Sequence, residues 1–496
     1  MKKLASADRE FFGLVTTAAF ANPFGESRQA VDKQLAASLS GKKTRALDAA
    51  LANVEERVAR LERAGVATLK VYAKEDQDIL RNAFLFEVFH RYSDEFDRLI
   101  QQQMAGGDSP CPVPFADKAM ALLAARGFLI EESIRYFAMF YQLRRAFFFL
   151  SRSLIGNSHG MRRLRIGLWN NVFTWDLRLY VRHLWNRMED FSTLLLGETG
   201  TGKGAAAIAI GRSGFIPFDS EKGCFRESFM QCFVSMNLSQ FPETLIESEL
   251  FGHKKGAFTG AIAPHEGIFA RCSPHGAIFL DEIGDLSIPV QIKLLQVLQE
   301  RRFSPVGGHE TRRFSGRIIA ATNKPLDAMR RAGTFRDDFY YRLCSDVIVV
   351  PPLRRRLEED PGEMTLLVNH VLQRMLEDVP GNLAGEICDV LHRSPGPRYS
   401  WPGNVRELEQ AVRRILLTCA YEGDASSVSA DGHTRLLSGV DSGSMTAQEL
   451  LTSYCNLLYE RHGTYETVAQ KTGLDRRTVK KHIMTRGRSS AAPTKS

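Results

Sequence analysis

The sequence predicts a multidomain chain: a helical N-terminal region, a central α/β unit followed by a helical unit, and a small all-α unit near the end. Three observations carry this. Apolar residues recur at alternating four- and three-residue steps before about residue 150. After it, short apolar runs end in glycine-rich or acidic motifs. The last ordered stretch breaks into three helix-length pieces at Gly463 and Gly473. A length of 496 residues suits about three domains at roughly 100–200 residues each. A composition of 44% apolar and 25% charged residues is globular and excludes a mostly disordered chain.

In residues 1–152, Leu47, Leu51, Val54, Val58 and Leu61 make one stripe of an amphipathic helix, too short for a coiled coil. Leu85, Val88, Phe89, Tyr92, Phe96 and Leu99 make a second stripe, and residues 105–115 (AGGDSPCPVPF) read as a loop. Residues 128–151 form a third helix whose aromatics build core, line a ligand pocket or form a docking face. No alternating βα pattern with a phosphoacceptor aspartate is present. The region reads as regulatory or sensory, of a type its residues do not name. Gln142, Arg144 and Arg145 interrupt the most apolar stretch, so it fails as a membrane span, and Asp8, Arg9 and Glu10 interrupt any signal-peptide core. None of the eight cysteines forms a C-x-x-C pair, so reduced thiols and a cytoplasmic location are expected, with no disulfide scaffold or zinc site.

Residues 153–350 read as the α/β unit. STLLL (192–196), CFVSM (232–236), AIFL (277–280) and RIIAA (317–321) have the continuous apolar character of buried parallel strands. The first leads into Gly197-Glu198-Thr199-Gly200-Thr201-Gly202-Lys203, with Gly204 after it and a helical AAAIAI run behind. This is a G-x-x-x-x-G-K phosphate loop in its strand–loop–helix context. Its glycines let backbone N–H groups wrap phosphate oxygens, and Lys203 reaches the β/γ-phosphates. Gly204 offers no hydroxyl to Mg²⁺ where the generic loop has Ser or Thr. The AIFL strand delivers Asp281 and Glu282 to the sheet edge, the first to hold Mg²⁺ through water, the second to orient the attacking water. Asn323, at the end of the next apolar run, can contact the γ-phosphate or that water.

Between these motifs stands Gly256-Ala257-Phe258-Thr259-Gly260-Ala261, preceded by ESELFGH (247–253); WPGNVREL (401–408) follows further on. These strings resemble the AAA+ domain of sigma-54-dependent transcriptional activators, also called bacterial enhancer-binding proteins. The resemblance covers the chain from about residue 154 onward and leaves residues 1–150 outside it. It implies an AAA+ α/β ATPase subdomain (153–350), a helical lid (351–420), a linker (421–444), a helix-turn-helix DNA-binding domain (445–485) and a basic tail (486–496). It further implies ATP and Mg²⁺ as cofactors, assembly into a homo-oligomeric ring, usually a hexamer, and remodelling of the sigma-54 RNA polymerase closed complex.

Residue by residue, the resemblance makes Phe258 and Thr259 the sigma-54 contacts and Asn237 the partner of the catalytic Glu282. Arg336 and Arg342 become candidate arginines acting on a neighbouring subunit's nucleotide, and Arg406 the lid arginine that senses nucleotide. Three departures stand out. Gly204 replaces the family's usual Glu, residues 169–190 and 213–229 lengthen two connections, and Leu238-Ser239-Gln240 replaces Cys-Ala-Ala.

At the C-terminus, residues 450–461, 465–472 and 476–484 read as three short helices, with Asp475 as an N-cap and Ala469 and Val479 where helices cross. The unit resembles a Fis-type DNA-binding domain, with Arg476, Arg477, Lys480, Lys481 and His482 on or near the helix that reads double-stranded enhancer DNA. Residues 471–496 hold eight basic residues and one acid, so they carry nearly all of the net +8. Two other readings compete: an AAA+ remodeller of some other protein, and a DNA-binding regulator that binds ATP without hydrolysing it. The loop string and the helix-turn-helix argue against the first. Lys203, Asp281, Glu282, Arg336 and Arg342 argue against the second, and Gly204 keeps it open.

Overall fold

The computed structural model describes residues 1–37, 46–397, 399–423, 436, 440 and 445–484. They fall into two compact units, one of residues 1–370 with 403–406, the other of the described residues of 371–402 and 407–484.

The first unit is organised by a parallel sheet of β1 (Thr193–Leu196), β2 (Phe233–Asn237), β3 (Ala277–Asp281), β4 (Arg317–Thr322) and β5 (Asp346–Val349). The strand order is 2-3-4-1-5. The first four strands follow the apolar runs of the sequence. The fifth, in the β-branched run DVIV, was not among them; one half-exposed face and only four residues weaken its signal. Successive side chains alternate between two cores. Leu195, Phe279, Ile319 and Ala321 enter one, and Leu194, Ile278, Leu280, Ile318 and Ala320 the other.

The second of these cores is closed by the helix Ile288–Glu300 and by Phe335 and Phe339. The first continues without a break into the N-terminal region. That region consists of α1 (Ser6–Phe20), α2 (Glu26–Ala36), α3 (Ala46–Arg63), α4 (Lys74–Arg91), α5 (Ser93–Gly106), α6 (Ala116–Ala125) and α7 (Ile130–Arg152). Glu131 and Glu132 in the first turn suit the α7 dipole, and Glu132 accepts a hydrogen bond from the Leu129 N–H at 3.2 Å. The helix α8 (His159–Phe173) and the phosphate-loop helix α9 (Lys203–Gly211) follow.

The aromatics of α7 are core. Phe137 meets Phe218 and Tyr141 stacks on Phe225 at centroid distances of 4.9 and 4.0 Å, and Phe149 meets Phe229 at 5.5 Å. Those partners lie on the lengthened connection 213–229, which forms a small hairpin of Phe218–Asp219 with Cys224–Phe225. The insertion is therefore the seat of the N-terminal helices. Packing runs across residue 152 with no gap.

The predicted lid, residues 351–420, holds helices Leu353–Glu359, Glu363–Met375, Leu383–Arg393 and Asn404–Thr418. Helices Ala447–His462, Tyr465–Thr472 and Arg476–Met484 pack around Cys455, Leu458, Val468 and Val479. Of the predicted linker 421–444, residues 421–423, 436 and 440 are described, and the basic tail 486–496 lies outside the described residues. No helix among the described residues is long and apolar enough to cross a membrane.

Candidate functional site

The site forms where β1, β3 and β4 end. The loop after β1 turns through Gly200 and Gly202 at positive φ and enters α9 at Lys203. Gly200 is required sterically as well. A Cβ there would stand 2.2 Å from the Gly403 carbonyl oxygen, which no side chain tolerates. Thr201 Oγ1 donates to the Glu198 carbonyl at 2.8 Å, and Lys203 Nζ donates to the carbonyls of Gly197 and Glu198 at 2.9 and 3.2 Å. Burial holds the Lys203 ammonium below its usual pKa. Glu282 and Asp281 draw it back up, and Arg406 depresses it further. Lys203 therefore shares one electrostatic environment with both acids and with Arg406.

Asp281 ends β3, and the strand register sets Asn237 of β2 directly beside it. Glu282 follows at φ 58°, its N–H donating to Asp281 Oδ1 at 3.1 Å. Asn237 Oδ1 accepts from both the N–H and the hydroxyl of Ser239, so here its side chain is engaged with Ser239. Asn323 Nδ2 donates to Thr199 Oγ1 at 2.8 Å, which ties the end of β4 to the phosphate loop. Among the described residues no cluster of three or more His, Cys, Asp or Glu forms a metal cage. The carboxylates of Asp281 and Glu282 fit Mg²⁺ only in company with nucleotide phosphates, as this ion prefers.

Two residues missed by sequence reasoning hold the loop. Asn404 Nδ2 donates to the Thr199 carbonyl at 3.0 Å and to Glu198 Oε2 at 3.2 Å, and its Oδ1 accepts from the Leu353 N–H at 2.7 Å. Arg354 binds Glu198 through two hydrogen bonds of 2.8 and 2.6 Å, and these hold the Glu198 carboxyl below its usual pKa. Next to Asn404, the Val405 N–H donates to the Gly200 carbonyl at 3.1 Å. The signal was available. An Asn between a Gly and a helical run is a common left-handed residue, and Asn404 has φ 53°.

Gly204 behaves differently from Gly200. A Cβ at position 204 meets nothing within 4 Å, so no steric demand selects glycine there. Gly204→Ser is expected to fold normally and to gain up to ~0.5 kcal/mol from helix propensity. Thermal unfolding checks this.

The Gly256–Ala261 segment caps a hairpin closed by reciprocal His253–His265 backbone hydrogen bonds of 3.0 Å. Gly256 donates to the Ala261 carbonyl at 2.8 Å, and Gly256 and Gly260 take φ of 81° and 99° with open space around them. These glycines serve the turn's backbone, and the tip carries Phe258, 38% exposed, edge-on to His253, beside exposed Thr259. Arg336 is held by two hydrogen bonds to Asp338, and Arg342 Nε donates to the Leu298 carbonyl at 3.1 Å. Among the described residues neither side chain has a hydrogen bond or ion pair with the phosphate loop, so the structure does not bring them to it.

In the C-terminal helices Asp475 caps its helix, accepting from the N–H groups of Arg477 and Thr478 at 2.9 and 3.0 Å. Arg476, Arg477, Lys480 and Lys481 are exposed on one short helix, with Arg476 paired to Glu466 at 2.8 Å. His482 does not join that exposed set. Its Nδ1 lies 2.9 Å from the Thr452 hydroxyl, fastening the helix to its neighbour.

Comparison with known proteins places these features. Residues 180–349 match the family described as the sigma-54 interaction domain, and residues 359–430 match the AAA+ ATPase lid domain. The chain is 42% identical over 226 residues to the regulatory protein AtoC of Escherichia coli (strain K12), covering 46% of this chain and 45% of that one. It is 42% identical over 232 residues to the sigma54-dependent transcriptional activator SfnR of Pseudomonas putida, covering 46% of this chain and 57% of that one. It is 38% identical over 294 residues to the transcriptional regulatory protein ZraR of E. coli (strain K12), covering 58% and 62% of the two chains. The chain thus spans about half the length of the curated relatives it matches.

Proposed function

We propose that this chain is a sigma-54-dependent transcriptional activator that binds and hydrolyses ATP to remodel the sigma-54 RNA polymerase closed complex, a reading supported by the matches over residues 180–349 and 359–430. The observation that carries this is the convergence of Lys203, Asp281, Glu282, Asn323 and Asn404 on one phosphate loop, in a unit that also presents an exposed Gly-flanked Phe258. Lys203 and the loop N–H groups bind the phosphates. Asp281 holds Mg²⁺ with them, and Glu282 polarises the attacking water. Asn237, beside Asp281 in the register, exchanges its Ser239 contact for Glu282 as the γ-phosphate comes and goes. This is a two-state element that nucleotide can bias.

In this proposal the protein works as a homo-oligomeric ring, in which Arg336 and Arg342 reach a neighbour's nucleotide and Arg406 reads the one bound in its own chain. Phe258 and Thr259 touch sigma-54. Arg476, Arg477, Lys480 and Lys481 bind enhancer DNA, chiefly through phosphates. The test is in vitro transcription from a sigma-54 promoter carrying an upstream site. Thr259→Ala should keep ATP turnover and lose open-complex formation. Deletion of residues 445–496 should keep turnover and lose retention on enhancer DNA. Full activation by the first variant, or unchanged DNA retention by the second, refutes the corresponding assignment.

A further inference from the structure

The N-terminal helices and α8 frame a half-open cavity of about 270 Å³ walled by Phe20, Phe86, Phe89, Phe140, Phe147 and Trp169. A dry apolar cavity of ~150 Å³ accepts benzene, so this one has room for a substituted single ring. Its polar groups are unequal. Arg28 already donates to Asp32 and to the Ala18 carbonyl at 2.8 and 3.1 Å, and Arg144 grips Asp97 through two hydrogen bonds of 2.5 and 2.6 Å. Asn82 and His90 also line the cavity, and their side chains have no hydrogen-bond partner among the described residues. The His90 ring lies 4.3 Å from Phe86 and 5.0 Å from Phe89. Burial, aided by Arg28 and Arg144, pushes its pKa down to about 3, so it is a neutral donor and acceptor at ordinary pH. Both residues are half-buried on the cavity wall, so a ligand that pairs them replaces loosely held water with a directed partner.

We propose that this cavity is a binding site for a one-ring aromatic molecule bearing a single hydroxyl or carboxylate, whose ring lies among the phenylalanines and whose polar group meets His90 and Asn82. The site is joined to the sheet. Trp169 on α8, with Leu177 and Val181 just after it, forms one wall. Two residues on, Asn171 Nδ2 donates to Asp346 and Thr193 at 2.6 and 3.0 Å, and Arg317 donates to Asn171 Oδ1 at 2.8 Å. One helix thus faces the cavity and is fastened to β1, β4 and β5, with β1 running into the phosphate loop. Occupancy biases how α8 seats on the sheet, and so ATP turnover. That coupling rests on the ATPase reading above, whereas the binding does not.

The test uses the full chain with benzyl alcohol, benzoate and ethylbenzene as probes, followed by calorimetry and tryptophan fluorescence. Benzyl alcohol or benzoate should bind more tightly than ethylbenzene. Leu143→Trp, which fills the cavity, should weaken all binding by ~tenfold or more. His90→Phe keeps the volume and should weaken the polar probe ~tenfold while leaving ethylbenzene unchanged. That selectivity change is one a fold defect would not produce. Failure of all three probes to bind, equal affinity for them, or polar-probe binding unaltered in His90→Phe overturns the site. Binding with unchanged phosphate release overturns only the coupling. Binding by a chain that releases no phosphate at all overturns the ATPase reading and leaves the site standing.

Discussion

Glu282→Gln is expected to bind ATP as tightly as the parent protein and to release phosphate ~10²–10⁴-fold more slowly, the range a positioned general base contributes. The substitution is nearly isosteric, so the difference reports chemistry. Glu282 sits at the open end of β3, and its backbone is anchored through its N–H to Asp281 Oδ1. Lys203 feels its charge, which places the carboxylate within electrostatic reach of the phosphate-binding group. A glutamine there still fills the space and still accepts a hydrogen bond, but cannot take a proton from water. Lys203→Ala should fail at the earlier step and lose nucleotide binding. A fluorescent-nucleotide titration and a phosphate-release assay separate the two. Turnover of Glu282→Gln within tenfold of the parent would remove this residue from the hydrolytic role.

The phosphate loop and the acid-tipped strand beside it were legible because a phosphate-loop pattern demands particular residue types in tight order. A Gly-rich turn, a lysine and a strand ending in acids have few other uses in that sequence, and the strands alternate between two cores as period-two packing requires. What holds the loop was less legible. Asn404 and Arg354 come from segments 205 and 156 residues away from the loop residues they bind, and a single Asn or Arg carries no local pattern. The arginines show the converse. Arg336 and Arg342 stand out in the FRDDFYYRL string, yet within one chain they bind Asp338 and a backbone carbonyl. The N-terminal region was legible as helices and opaque as a module. Its apolar stripes could not disclose that the lengthened connection 213–229 was their partner, because neither segment has a periodicity that points at the other. Gln142 and Arg145, read only as breaks in a membrane span, turn out to be the polar joint of that contact.

That joint makes the second large effect a structural one: a fragment of residues 153–496 should fail to fold as a stable ATPase. Arg145 is fully buried, and its guanidinium donates to the carbonyls of Arg212 and Gly214 at 2.7 Å each. Gln142 Nε2 donates to the carbonyl between them, that of Ser213, at 2.9 Å. These three oxygens lie just beyond the end of α9, so α7 caps the phosphate-loop helix from outside its own segment. Truncation exchanges these three bonds for bonds to water, at ~0.5–1.5 kcal/mol each, and uncovers Phe218, Phe225 and Phe229 at ~1.5–3 kcal/mol each. The sum reaches the whole of an ordinary domain's ~5–15 kcal/mol stability. The fragment should therefore be insoluble, or bind an apolar dye and unfold well below the intact chain. Activity lost on truncation would then report a broken scaffold, not a missing signal. Arg145→Met offers a milder test, since it keeps most of the side-chain volume and strands two carbonyls. It should cost about 2–5 kcal/mol by chemical denaturation. A 153–496 fragment with the intact chain's melting temperature would show that the shared core is dispensable. Regulation by the N-terminal region would then work by docking and release. If the fragment instead behaves as the packing requires, any signal must act with α7 in place, through shifts of α8 and α9.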